Sequence, residues 1–268
     1  MNRALGWLGR MVLPPAVFFA LVVGAWQAAT ALWEIPVYLV PSPARVWEAA
    51  QEHSQELLAA MQLTGSAALS GFGLGLLGGI ALGLVFSQSR MIERSIYPYA
   101  IFLQTVPIVA IAPVIILWFG NGFGGVVAVS FILSLFPMLT NATAGLTHID
   151  ANLLELFEIH NASRWQTLFK LRLPNAVPYL VTGAKIACGL SVIGAIVGEI
   201  SAGFGSQSFG LGYLISMATG KLDTAYAFAA VFGSTLLSIA IFTAVGSIGA
   251  VIMALWRMTP QRSSTAHP

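Results

Sequence analysis

Apolar residues fall along this chain in six long stretches separated by shorter polar segments: Met11–Trp33, Thr64–Phe86, Tyr97–Phe119, Gly125–Ala144, Tyr179–Ile200 and Ala225–Trp256. Each is close to or beyond the roughly 20 residues that a helix needs to cross a bilayer. The last is long enough to tilt or to run past the hydrocarbon. No polar segment between them exceeds about 35 residues, too few for a separate soluble domain. The pattern predicts one domain over 1–268, an all-α integral membrane protein with six transmembrane helices.

Between the first two stretches, Pro36, Pro41 and Pro43 interrupt any continuous helix. From Pro43 to Gln62 the apolar residues Val46, Ala49, Ala50, Leu57, Leu58 and Met61 recur at helical spacing, and Glu48, Glu52 and Glu56 stand four apart. That reads as an amphipathic outer helix lying along the membrane surface. It serves either to dock or gate an extracytoplasmic partner or to cap the bundle.

Composition agrees with the pattern. Hydrophobic residues make up 57% of the chain and charged residues 8%, against about 25% charged in soluble domains. So little charge excludes a soluble enzyme and a disordered chain, and a net charge of +2 gives no face for nucleic acid. The single cysteine, Cys188, excludes a disulfide framework and reads as a small buried apolar residue. Arg3 and Arg10 ahead of the first apolar run imitate a signal peptide, but the run is about 23 residues against 7–15 for a signal core. An uncleaved first helix is expected.

Lysine and arginine are retained on the cytoplasmic side. With both termini inside, the cytoplasmic group is Arg3, Arg10, Arg90, Arg94, Arg164, Lys170, Arg172, Lys185, Arg257 and Arg262, and the outer group is Arg45 and Lys221. The ratio of ten to two sets the orientation.

Gly71, Gly75, Gly79 and Gly83 repeat every fourth residue in the second stretch, a groove on which another helix can pack backbone to backbone. Gly73 to Gly78 formally match a dinucleotide fingerprint, but inside an apolar 20-mer that match is helix packing. Pro98, Pro107 and Pro113 interrupt the third stretch and Pro137 the fourth. Gln104 and Thr105 precede Pro107, and Ser130, Ser134 and Asn141 lie along the fourth stretch. These polar groups either line a translocation path or hydrogen-bond between helices. Glu199, at the outer end of the fifth stretch, takes part in gating or the solute path, or reaches interfacial water. The histidines, His53, His148, His160 and His267, never stand at metal-ligand spacing, so no metal site is expected.

The longest inner segment, 145–178, carries the chemistry. Asp150 suits an N-cap for a helix through His160, with Leu153, Leu156, Phe157 and His160 on one face. Asn161 suits a left-handed stop. A basic amphipathic helix from Ser163 to Leu171 is expected to end before Pro174. Apolar residues displayed outside the bilayer read either as a docking surface or as a floor folded against the bundle.

Residues Glu155 through Pro178, above all Asn161-Ala162-Ser163-Arg164-Trp165-Gln166 and Leu173-Pro174-Asn175-Ala176-Val177-Pro178, resemble the EAA loop of bacterial ABC importer permeases. Glu155 matches the motif's glutamate, Leu156 and Phe157 replace its two alanines, Asn161 replaces its glycine, and Ala162 is retained. Leu39-Val40-Pro41-Ser42-Pro43, Ser89-Arg90 with Glu93-Arg94, and Gly210-Leu211-Gly212-Tyr213 extend the resemblance over nearly the whole chain, to the sulfonate/taurine/nitrate permease-like subgroup. The resemblance implies a type I importer permease fold in the bacterial inner membrane, with a second copy forming a two-fold homodimer around the path. It implies a coupling helix docked on one of two ATPase subunits, through Glu155, Leu156, Phe157, His160, Asn161, Ala162 and Arg164, and an extracytoplasmic solute-binding protein. ATP and Mg²⁺ would be held by the ATPase, since this sequence has no Gly-x4-Gly-Lys-Ser/Thr loop. The implied cargo is a sulfonate, taurine, nitrate or similar anion, or a small heteroaromatic such as a pyrimidine. A membrane-embedded enzyme would need converging acids or a nucleophile with its base. An ion-coupled secondary transporter would need internal repeats and midplane acids. Neither pattern is present.

Overall fold

The computed structural model describes residues 2–203 and 210–258, and all regular structure among them is helical. The helices are α1 (Asn2–Leu32), α2 (Pro43–Glu52), α3 (Ser54–Gln88), α4 (Arg90–Thr105), α5 (Ile108–Phe119), α6 (Phe123–Thr147), α7 (Ala151–Ile159), α8 (Arg164–Thr167), α9 (Leu173–Ala202), α10 (Leu211–Gly220) and α11 (Thr224–Met258). Arg262 and His267 lie outside the described residues. Among the described residues five helical stretches are long and apolar enough to cross a membrane, or six where the bent pair α4–α5 counts as one span.

The bundle is organised around α6. On one side α3 lies against it backbone to backbone. A Cβ at Gly75 would stand 2.6 Å from that of Ser134, one at Gly79 would stand 2.7 Å from that of Met138, and one at Gly83 would stand 2.7 Å from that of Ala142. Gly71 meets Ser130 in the same row. On the other side α9 approaches as closely, with Gly194 against the Ser130 backbone and Gly183 against Asn141. Lipid tails are as apolar as the side chains, so close van der Waals contact, rather than expulsion of water, holds such helices together. Ala67, Ala68, Val129, Cys188, Val192 and Ala195 fill the seams.

Three expectations are corrected. The outer amphipathic helix is shorter than 43–62. It ends at Glu52, His53 breaks the run at φ −100° and ψ 22°, and Glu56, Leu57, Leu58 and Met61 belong to α3. The break lets α2 pack on α11, with Val46 in a shared apolar cluster, while α3 turns into the bundle. The third stretch is no straight span, because α4 and α5 meet at 102°. Pro107 has no N–H to continue the ladder, and the chain turns through Val106 N–H to Leu103 O and Ala110 N–H to Pro107 O. Pro174 does not stop the basic helix. Leu168–Arg172 form a π-helical turn in which Leu173 N–H donates to Leu168 O. This wider register takes the chain past the residue without a donor, and Arg164–Ala202 run as a single span.

Lys185 also moves. It lies within α9, with its side chain against α11 at Gly246 and Gly249.

Candidate functional site

Two features stand out, a helical knob between α6 and α9 and a cavity at the α4–α5 break. The knob is built from local signals. Asp150 accepts from Asn152 N–H at 2.9 Å and starts α7. Asn161 adopts φ +50°. Asn161 N–H then donates to Glu158 O and Ala162 N–H to Phe157 O, both at 2.9 Å, which completes a Schellman stop. Ser163 and Gln166 cap each other reciprocally at the start of α8. The base is tied down by Asn175, which donates to Gly145 O and His148 O. Arg172 donates to Ser87 O, and Leu168 is buried against Leu146 and Ala176.

No residue of α7 is buried. Leu156 is 49% exposed, Ile159 69% and Trp165 70%, and Trp165 stacks on Phe169. Leu156, Phe157, His160 and Ala162 line one open hollow with Gln166 and Lys170. His160 Nδ1 bonds Leu156 O at 2.8 Å, which fixes its ring over the last turn. Arg164 lies on the opposite side, in a polar hollow with Leu154, Glu158, Ser87, Gln88 and Arg172. Glu155 is exposed and pairs with no cation among the described residues.

The residues expected along the path do not share one lining. Gln104 and Asn141 face a cavity of about 380 Å³ between the α4–α5 break, α6 and α9. Thr105 is exposed at the end of α4, its hydroxyl turned back to Phe102 O. Ser134 is wholly buried and donates to Ser130 O at 2.6 Å, on the side of α6 that meets α3.

Glu199 is buried near the C-terminal end of α9, away from that cavity. Its carboxylate accepts from Thr64 Oγ1 at 2.8 and 3.0 Å and from Gly212 N–H at 2.8 Å. Thr64 Oγ1 in turn accepts from Leu211 N–H at 2.9 Å. The acid therefore joins α3 and α9 to the first turn of α10, where it also meets the positive end of that helix. Thr64 went unnoticed in the sequence, where it is one hydroxyl in a long apolar helix. Gly210 and Gly212 are legible only as part of Gly210-Leu211-Gly212, and in space they are bare because Glu199 occupies the volume of their side chains. Among the described residues no group of three His, Cys, Asp or Glu could hold a metal ion.

Known proteins resemble this chain in sequence and in fold. Residues 75–257 match the family of binding-protein-dependent transport system inner membrane components. The formylaminopyrimidine transport permease protein ThiX of Halalkalibacterium halodurans is 32% identical over 91% of this chain and 96% of its own length. The riboflavin transport system permease protein RibX of Chloroflexus aurantiacus is 34% identical over 87% of this chain and 86% of its own. The putative aliphatic sulfonates transport permease protein SsuC of Bacillus subtilis is 29% identical over 92% and 84%. A chain of the inward-facing MetNI methionine ABC transporter superposes with a TM-score of 0.63 at 16% identity, covering 75% of this chain and 98% of that one, a likeness of fold. The chain belongs to the binding-protein-dependent transport system inner membrane components, as a permease subunit of an ABC importer with the type I fold.

Proposed function

We propose that two copies of this chain form a homodimeric path through the inner membrane, with both termini cytoplasmic and α7 docked on an ATPase subunit. The observation that carries the docking is α7 itself. It is an apolar helix without a buried residue, held out by a knob whose base is fixed by Asn175 and Arg172. Leu156 and Phe157 would be the apolar anchor and Glu155 the charge partner. ATP and Mg²⁺ would be bound by the two ATPase subunits, and an extracytoplasmic binding protein would deliver the cargo.

The cargo we infer is a small nitrogen heteroaromatic. It is supported by ThiX and RibX, whose names specify formylaminopyrimidine and riboflavin and which match most of this chain.

Ala162→Arg places a bulky charge in the hollow beside Phe157. Loss of a central contact of this kind costs about 2 kcal/mol or more, roughly thirtyfold in docking. In proteoliposomes holding the whole importer, Ala162→Arg and Glu155→Ala are expected to lose cargo-stimulated ATP hydrolysis and uptake, while the chain still inserts normally. Wild-type uptake by both variants would reject the docking role. Reporter fusions after Arg90, within 161–170 and at the C-terminus should all report cytoplasm. An outer signal at any one of them reverses the topology.

A further inference from the structure

The cavity at the α4–α5 break contains no Asp, Glu, Lys, Arg or His among its lining residues. Its walls are Leu, Ile, Val and Phe136, and its polar groups are amides, one hydroxyl and backbone. Gln104 is exposed at the open side of the cavity, and its amide makes no hydrogen bond among the described residues. Asn141 donates Nδ2 to Pro137 O at 2.8 Å, and its Oδ1 accepts no hydrogen bond among the described residues. The Thr140 hydroxyl is committed to Phe136 O and Pro137 O. At the break itself the C-terminal carbonyls of α4 meet the N-terminal amides of α5. Those two helix ends carry opposite partial charges, so side by side they offer acceptors and donors with little net field.

We propose that this cavity is a cargo subsite within the permease, selective for uncharged planar heteroaromatics, with Gln104 and Asn141 reading the donor and acceptor edge. The inference rests on the cargo reading above and adds where selection occurs. An anion such as nitrate or a sulfonate would lose part of its hydration against these apolar walls and find no cation in return. A pyrimidine-type ring loses little by entering. Its faces meet Phe136 and aliphatic side chains, and its ring nitrogens and exocyclic groups meet amides that otherwise lack partners. The volume, about 380 Å³, falls within the roughly 300–1,000 Å³ of small-molecule sites. Ile186 of α9 closes one wall and limits how large a ring can lie flat.

The test uses the complete importer, with its ATPase and binding protein, in proteoliposomes. The probes are tritiated formylaminopyrimidine and riboflavin, with nitrate and taurine as charged or zwitterionic comparisons. Wild type is expected to accumulate at least one heteroaromatic and neither of the other two. Gln104→Met and Asn141→Leu remove hydrogen-bonding atoms while keeping the number of side-chain heavy atoms nearly constant, and each is expected to lower the maximal uptake rate at least tenfold. Ile186→Trp, which fills the cavity, should lower it further. Co-purification with the ATPase at wild-type yield shows that each variant is folded. Full uptake by all three folded variants places the cargo elsewhere and overturns the subsite, while the heteroaromatic cargo stands. Uptake of nitrate or taurine, or of neither heteroaromatic, overturns the cargo reading and the subsite with it.

Discussion

Gly79→Val is expected to abolish the folded bundle. A Cβ at Gly79 would lie 2.7 Å from Met138 Cβ and 2.8 Å from Leu139 N, and Met138 is wholly buried. Neither atom can rotate away, since one is backbone and the other is fixed to it. Relief requires α3 to lift from α6, and the loss then spreads along the row of Gly71, Gly75 and Gly83. Overpacking of a dense interior costs about 1–3 kcal/mol even where the backbone can shift, and a valine at this crossing should reach or exceed the upper figure. The comparison is Gly73→Ala in the same helix, where a Cβ would meet nothing within 4 Å. It should be neutral or stabilise by up to about 1 kcal/mol, because alanine is the better helix former. Thermal unfolding in detergent, followed by size-exclusion of the soluble fraction, separates the two. A monodisperse Gly79→Val protein melting with wild type would show that the α3–α6 seam is wrong.

Glu199→Leu should destabilise nearly as much, for a different reason. It leaves the Thr64 hydroxyl and Gly212 N–H without acceptors in a buried site. Each unsatisfied donor costs about 1–3 kcal/mol, so the total is roughly 2–6 kcal/mol. Glu199→Gln keeps one acceptor oxygen and should fall between leucine and wild type. Because Thr64 both donates to Glu199 and accepts from Leu211 N–H, Thr64→Val and Glu199→Gln should be strongly non-additive in a double-mutant cycle. Additive melting shifts would mean that the two groups act separately. Limited proteolysis should cut first near α10, whose N-terminus the carboxylate holds.

The class of fold, the family and most helix ends around the knob were legible in the sequence, because they depend on local chemistry. Asp150, Asn161 and Ser163 act through atoms within a few residues of themselves, and apolar length alone marks a membrane helix. The misses were tertiary. Nothing near His53 signals a break, since the apolar spacing runs on through it. The chain turns there because α2 and α3 pack on different neighbours. Pro107 announces a kink but not its 102°, which depends on how neighbouring amides and carbonyls are satisfied again. Pro174 carries a helix-breaking signal that the π turn ahead of it absorbs. Glu199 was conspicuous as an acid in an apolar stretch. Its partners stand 135 and 13 positions away along the chain, beyond the reach of any spacing rule.

That π turn has a mechanical consequence. From Arg164 to Ala202 the chain is one helical rod of 39 residues, on the order of 58 Å at 1.5 Å per residue. Its N-terminal end shares the α7–α8 knob, its flank at Ile186 and Leu190 borders the cavity, and its C-terminal end carries Glu199. No loop interrupts it to take up slack. A tilt imposed at the knob is therefore delivered, as through a crowbar, to the walls halfway along and to the Glu199 latch at the opposite end.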